Sequence, residues 1–467
     1  MSATSNFFNR DSAGTVAVDP ARLASLIETE EAEFNARHAK SRAMTERAQR
    51  SLPGGVVSSW QSTDPHPVYL AEGHGSKVTD VDGNEYVDFH NGYGAVAVGH
   101  AHPKIVEAVS QRIAQGSHFA QPTEDAIVVA EHLQQRFGQP LWRFGNSGTE
   151  ETLDAVRLMR AVTGRDIIFK IEGSYHGHHD ALMVSVSPPG DSIGPYDDPV
   201  SVPQTIGLPA DYVNLTKVVP FNDLDALERT LERYKGQVAG MIVEPAMMNA
   251  GFVLPEDGYL QGVKDLLHKH GALLAFDEVK TGATIAYGGA TEAFGVTPDI
   301  ICLAKSVGGG LPCGAIGGTE EVMSWIADGR IDQVGTFNGN PLTMAAMRAT
   351  LTEILVPEAY TEFNRLADIL REGCDGVMER SGIAGYTTAM AARGAVTYRG
   401  ERVRNYRDYL EVSDDLAYVN WLVQFNRGVF MAPWGKSENW TLTVQHSEDD
   451  VRRYIDNFDF LGKALSA

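Results

Sequence analysis

The sequence predicts an α/β protein, with a mostly parallel sheet flanked by helices and a smaller α+β domain formed by the N- and C-terminal segments. Between about 104 and 345, short continuous apolar runs alternate with amphipathic helical stretches, the pattern of strands buried on both faces and their crossover helices. Beyond 346 the texture changes to longer helices and a mixed tail. Near the N-terminus, an Asp-Gly turn sits between two alternating runs. The expected division is therefore 1–103, an N-terminal helix and hairpin segment; 104–345, a large domain; and 346–467, a C-terminal small domain.

Residues 1–18 are polar and irregular. Asp19-Pro20 supplies an N-cap and a proline at the first helical position, so a helix is expected from there to about Arg50, ended by Leu52-Pro53-Gly54-Gly55. Its apolar face is thin, which implies packing against another part of the chain. Lys77 to Phe89 reads as a hairpin around Asp82-Gly83, because Asp-Gly tolerates the positive φ of a tight turn. The buried strands are read at Asp166-Ile-Ile-Phe-Lys, Gly240-Met-Ile-Val, Ala272-Leu-Leu-Ala-Phe and Asp299-Ile-Ile-Cys-Leu. Leu153, Val156, Met159 and Val162 share one face of a helix that stops at Gly164. Tyr360, Phe363, Leu366 and Leu370 share a face of a later one, with Gly373 read as its stop.

Composition narrows the function classes. The 467 residues are 43% hydrophobic and 21% charged, an ordinary globular balance. Lys and Arg number 39 against 61 Asp and Glu, a net charge of −22 that repels phosphate backbones and anionic lipid, so neither nucleic acid nor membrane is an expected partner. Cys302, Cys313 and Cys374 form no CxxC pair and point to a reducing compartment. The N-terminus shows no secretory pattern, and no apolar run approaches the ~18 residues that span a bilayer; a cytoplasmic protein is expected.

In open parallel sheets ligands bind beyond the carboxyl ends of the strands. Those ends carry Glu172-Gly-Ser-Tyr175-His176, Glu244-Pro245, Asp277-Glu278-Val279 and Ala304-Lys305. Asn146-Ser147-Gly148-Thr149 opens a helix; alone it is a plain N-cap, but its free N–H groups and hydroxyls also suit an anion. Lys305 precedes Ser-Val-Gly308-Gly309-Gly310, and reads either as a surface charge beside a flexible loop or as a Schiff-base lysine with room for a cofactor. A dinucleotide fingerprint fails because Cys313 stands where its last glycine belongs, and a Walker loop fails because Ala304 precedes Lys305-Ser306. His176-Gly-His178-His179-Asp180 has no second ligand set spaced to close a metal site, and no metal is expected. Asp277 ends an apolar strand, where a carboxylate is costly without a cationic partner such as a protonated ring nitrogen.

These segments resemble the class III aminotransferases, pyridoxal-phosphate enzymes of fold type I. The matching stretches, in family order over about residues 50–345, are GNSGTEETLDAVRLMRAVTGR, KIEGSYHGHHD, IVEP, ALLAFDEVKTG, GVTPDIICLAKSVGGGLPCGAIGG and GTFNGNP. The branch most similar is that of the glutamate-1-semialdehyde aminomutases, which also contains β-amino-acid aminotransferases. The resemblance implies that Lys305 carries pyridoxal 5′-phosphate and moves the substrate proton, and that Asp277 keeps the pyridine nitrogen protonated. It places Ser147, Gly148 and Thr149 at the phosphate, and Thr336 at the phosphate of a neighbouring subunit. Tyr175 and Val279 would pack the two ring faces, with Glu244 and Asn249 near Asp277 and the ring hydroxyl. It further implies a homodimer with shared active sites, an amino donor and an oxo-acid acceptor.

On the substrate side the pattern departs. The mutase segment resembling GGVNSPVR is here GGVVSSWQ, so Gln61 stands where a carboxylate-binding arginine is expected and offers no bidentate charged fork. Tyr93 in GYGA replaces a family tryptophan, whereas Glu438 in KSENW matches a mutase-branch glutamate. Ser58, Trp60, Gln61, Tyr93 and Glu438 are the substrate-side residues so implied. Trp60, Tyr93 and Trp434 read either as favouring an apolar or aromatic substituent or as ordinary packing. The expected reaction is amino transfer from an amine or amino acid to a 2-oxo acid, with intramolecular glutamate-1-semialdehyde mutation as the alternative.

Overall fold

The computed structural model describes residues 18–432, 436 and 439–466. The chain divides into two units. One comprises Pro103–Tyr360 with Val403–Leu410; the other comprises the described residues up to His102, Thr361–Arg402 and Glu411–Ala467.

A seven-stranded sheet forms the first unit. Its strands are β1 (Leu141–Gly145), β2 (Ile167–Ile171), β3 (Thr216–Val219), β4 (Val238–Val243), β5 (Leu273–Asp277), β6 (Ile300–Ala304) and β7 (Gly314–Gly318), in spatial order β1-β7-β6-β5-β4-β2-β3. β3, β2, β4, β5 and β6 pair in parallel, and β7 runs antiparallel to both β6 and β1. The four strands read from the sequence are β2, β4, β5 and β6, whose runs are buried almost throughout. The other three have different chemistry. β7 is Gly-Ala-Ile-Gly-Gly, and its glycines are required by closeness: a Cβ on Gly317 would lie 2.8 Å from the Trp142 ring. The Gly148–Thr163 helix covers the sheet through Val156, Leu158 and Met159, which pack with Ile168, Ile242 and Ile300.

In the second unit, Leu70–His74, Lys77–Asp80 and Glu85–Asp88 form an antiparallel meander, and Val429–Phe430 joins it in parallel. Tyr386–Met390, Arg393–Thr397 and Trp440–Thr441 make a separate antiparallel sheet. The N-terminal helix does find a partner: Phe34 is wholly buried, its ring 5.5 Å from Trp421 and 5.4 Å from Phe425. Glu30, also buried, pairs with Arg427 at 2.8 Å.

Two helix expectations are corrected. The helix expected to reach Arg50 is broken into Pro20–Arg37 and Ala39–Ala48 at His38 (φ −119°, ψ 42°). The His38 ring nitrogens lie 2.7 Å from the Phe34 carbonyl oxygen and 2.7 Å from Tyr86 Oη, while the Asp82 carboxylate accepts from Lys40 N and Ser41 N and so caps a fresh start. Gly373 is not a stop, because the helix Pro357–Ser381 runs through it. A Cβ there would lie 2.5 Å from Ile455 Cδ1, so the glycine serves close helix packing.

Gly83 and Gly94 both have positive φ, 97° and 90°, but an added Cβ would meet nothing within 4 Å at Gly83 and the Arg393 guanidinium at Gly94. Gly83→Ala should cost only the backbone strain, about 1 kcal/mol. Gly94→Ala should cost several times more, and paired denaturant titrations of the two variants read the packing part as the difference.

Candidate active site

The site in the first unit is built where β2, β4, β5 and β6 end. β5 delivers Asp277, only 5% exposed, and the next strand, in register with Asp277 opposite Cys302, delivers Lys305. Lys305 opens a single turn, Lys305–Gly308, in the left-handed region at φ 52°. A lysine backbone held there stores strain of about 1–3 kcal/mol, which persists only where the surroundings over-determine it. Ser306 Oγ donates to the Gly282 carbonyl at 2.7 Å and fixes that turn.

Asp277 is answered from two sides. Val279 N donates to Oδ1 at 3.0 Å, and His176 Nδ1 lies 2.8 Å from Oδ2. His176 is 1% exposed, and its Nε2 is buried with no hydrogen-bond partner. A carboxylate offers about four lone-pair sites, so Asp277 keeps acceptor capacity for a further donor. β4 delivers Glu244, 3% exposed, whose two oxygens accept from Tyr175 N and Met248 N, both at 2.9 Å. Asn249 is half-buried in the loop that follows, which Met247 and Val253 close by reciprocal backbone bonds.

Ser147 caps the Gly148–Thr163 helix with extended φ and ψ, its side chain accepting from Glu150 N at 3.3 Å. A Cβ on Gly148 would lie 2.7 Å from Val279 Cγ2, so the helix start lies against the residue that follows Asp277 by two. Thr149 Oγ1 accepts from His178 N at 3.1 Å. The structure thus brings Ser147, Gly148, Thr149, Tyr175, Glu244, Asp277 and Val279 into one connected set. Thr336 stands apart from these contacts, exposed in the 333–340 segment; the nearest link is Asn338 Oδ1, which accepts from Asn146 Nδ2 at 2.9 Å.

The histidine cluster has separate employments. His176 faces Asp277, His178 uses its backbone N–H on Thr149, and burial pushes the His179 imidazole down to about 4. Sequence reasoning weighed these residues for metal and missed His176 as the partner of Asp277. The usable signal was the demand of a buried carboxylate for a donor.

In the second unit, the Ser58 carbonyl accepts from Gln61 N at 2.9 Å at the start of the turn Ser59–Gln61, and Trp60, Gln61 and Tyr93 line a cavity of about 510 Å³ together with Trp421, Phe425 and Phe430. Tyr93 (φ 56°) donates from Oη to the Trp60 carbonyl at 2.5 Å, and the two rings meet edge-on at 5.6 Å. Glu438 and Trp434 lie outside the described residues.

The pattern of the family Aminotransferase class-III matches residues 58–385. A glutamate-1-semialdehyde 2,1-aminomutase of Methanothermobacter thermautotrophicus is 41% identical over 420 residues, covering 89% of this chain and 97% of that one. An omega-transaminase structure from Sphaerobacter thermophilus has a TM-score of 0.85 and 34% identity, over 91% of this chain and 98% of that one. A glutamate-1-semialdehyde-aminomutase structure from Pseudomonas aeruginosa has a TM-score of 0.87 and 29% identity, over 96% and 100%, and a lysine-to-alanine variant of that enzyme has been solved in complex with PMP.

Glu278, beside Asp277 and wholly buried, is pushed up by that burial to about 7 from an ordinary 4.5. The folded chain therefore holds a proton that the unfolded chain has lost between those values. The stability this contributes is whole below about 4.5 and gone once pH rises past about 7. Glu278→Gln, which mimics the protonated form, should match the parent Tm near pH 5 and exceed it increasingly up to pH 8. A difference that stays flat across that range would refute the assignment.

Proposed function

The chain belongs to the aminotransferase class-III family and is a pyridoxal-phosphate-dependent transaminase, and from that footing we propose that it moves an amino group from an amine or amino acid to a separate 2-oxo acid. The observation that carries the two-substrate reading is Gln61, an exposed residue where the mutase segment it resembles has an arginine. A neutral amide cannot hold a substrate carboxylate by a charged fork.

The residues of the first unit fit the cofactor. Asp277 is buried with acceptor capacity to spare, a glycine at the helix start leaves no Cβ between the phosphate turn and Val279, and a lysine ends the adjacent strand. When bound, pyridoxal phosphate supplies a carbonyl that takes the amine and a protonated ring that draws electrons from the neighbouring carbon. Asp277 holds the proton at the ring nitrogen, and His176 keeps its carboxylate oriented. The N–H groups and hydroxyls of Ser147, Gly148 and Thr149 hold the phosphate, helped by the helix dipole. Tyr175 and Val279 confine the ring, while Glu244 and Asn249 border its hydroxyl side. Lys305 carries the cofactor at rest through Nζ and then moves a proton at the substrate carbon.

On the substrate side, Ser58, Trp60, Gln61, Tyr93 and Glu438 meet the donor, and the edge-on rings of Trp60 and Tyr93 favour an apolar or aryl substituent. The working unit is a homodimer in which Thr336 reaches the partner's phosphate. Supporting this, Thr336 is exposed between Val334 and Phe337, themselves 83% and 59% exposed. Intramolecular glutamate-1-semialdehyde mutation is the second reading, favoured by the 41% identity to an aminomutase.

With an amino donor and no acceptor, the enzyme should release one equivalent of oxo product per site and stop, resuming when pyruvate or 2-oxoglutarate is added. Continued turnover of glutamate 1-semialdehyde alone would replace this reading by the second. Lys305→Ala should lower the rate by at least about 10³-fold, and unchanged activity would refute the mechanism. Trp60→Ala should cost an aryl donor about tenfold more in kcat/KM than a short aliphatic one.

A further inference from the structure

Lys170 lies near the carboxyl end of β2, the strand beside the edge strand β3, with no solvent exposure. Its Nζ donates to the carbonyls of Ser174 at 2.7 Å, Val184 at 2.6 Å and Leu182 at 3.4 Å. Burial drives the amine down to about 7, opposed by the charge of Glu244. An apolar side chain would fill a sheet interior at far lower cost, so the lysine is explained by the three inward-facing carbonyls, which a buried loop cannot leave unpaired.

Those carbonyls bracket one loop. Between Ser174 and Leu182 lie Tyr175, which reaches Glu244; His176, which reaches Asp277; and His178, which reaches Thr149. Ahead of the bracket, Glu172 forms a two-pronged pair with Arg407, and the Tyr406 ring lies where a Cβ on Gly173 would stand. One ammonium thus ties the beginning and the end of the segment whose middle touches three separate parts of the proposed cofactor site.

We propose that Lys170 is a positioning residue for the cofactor: by gathering the Ser174, Leu182 and Val184 carbonyls it sets where Tyr175 and His176 stand against Glu244 and Asp277. The inference rests on the cofactor reading above. A lysine that served stability alone would lower the melting temperature and leave cofactor affinity as it was. A positioning lysine changes affinity, and does so through His176.

The test titrates pyridoxal phosphate into the full chain, following fluorescence quenching and the ligand-induced rise in Tm, for the parent, Lys170→Met, His176→Phe and the double variant. Lys170→Met should bind about tenfold or more weakly and show a smaller ligand-induced rise in Tm. In the His176→Phe background the same substitution should have a reduced effect, because both act on one contact. If Lys170→Met does not fold, Lys170→Gln, whose shorter side chain and two N–H donors cannot hold all three carbonyls, carries the same comparison with a smaller expected loss of about fivefold. Affinity within twofold of the parent, or additive losses in the double variant, would overturn the inference alone. A parent chain that takes no pyridoxal phosphate would overturn the reading of the site and this inference with it.

Discussion

A carboxylate at the end of a strand buried on both faces must be given partners, and the arrangement of the large unit follows from how Asp277 receives them. The strand cannot expose it, because parallel neighbours lie on either side of β5 and a helix covers the sheet. The partners therefore come from the ends of neighbouring elements: His176 from the loop after β2, and Val279 from the turn after β5 itself. That requirement draws the β2 loop across the strand ends, and the loop in turn meets Glu244 and Thr149. A phosphate-binding turn and a place for a ring nitrogen arise on either side of one satisfied charge.

What could be read in the letters followed the physics of burial. β2, β4, β5 and β6 stood out because a strand buried on both faces must be apolar throughout, and the polar residues that stop each run mark its carboxyl end. β7 left no such trace, since Gly-Ala-Ile-Gly-Gly has little β-propensity and is a strand because it pairs with β1 and β6 on either side, where Trp142 and Glu151 leave no room for larger residues. Gly373 misled for a related reason: glycine serves both helix termination and close packing, and only Ile455, remote in sequence, decides between them. The break at His38 was equally hidden, being made by Tyr86 and Asp82, which no window around residue 38 contains.

The titratable groups divide by the same rule. Lys170 and Glu278 are both wholly buried and both pulled toward neutrality, yet neither contacts the other's charge; Lys170 is held by backbone carbonyls, and Glu278 by the Ala290 N–H and the Thr281 hydroxyl. Glu172 instead pairs with the Arg407 guanidinium at 3.0 Å. Such buried ionisable residues cost stability, and their clustering around the strand ends matches the general habit of functional sites to spend it there.

The second unit carries a different implication, one for synthesis rather than chemistry. Its N-terminal helix is completed by residues far along the chain: Glu30 pairs with Arg427, 397 residues away, and Phe34 packs on Trp421 and Phe425. At ~5–20 residues per second on the ribosome, the first helix waits about 20–80 s for the surface it belongs on. During that interval the large unit can close on itself, while the apolar side of the nascent N-terminus stays uncovered. Completion of the second unit thus waits on residues 421–427, however early its first helix is made.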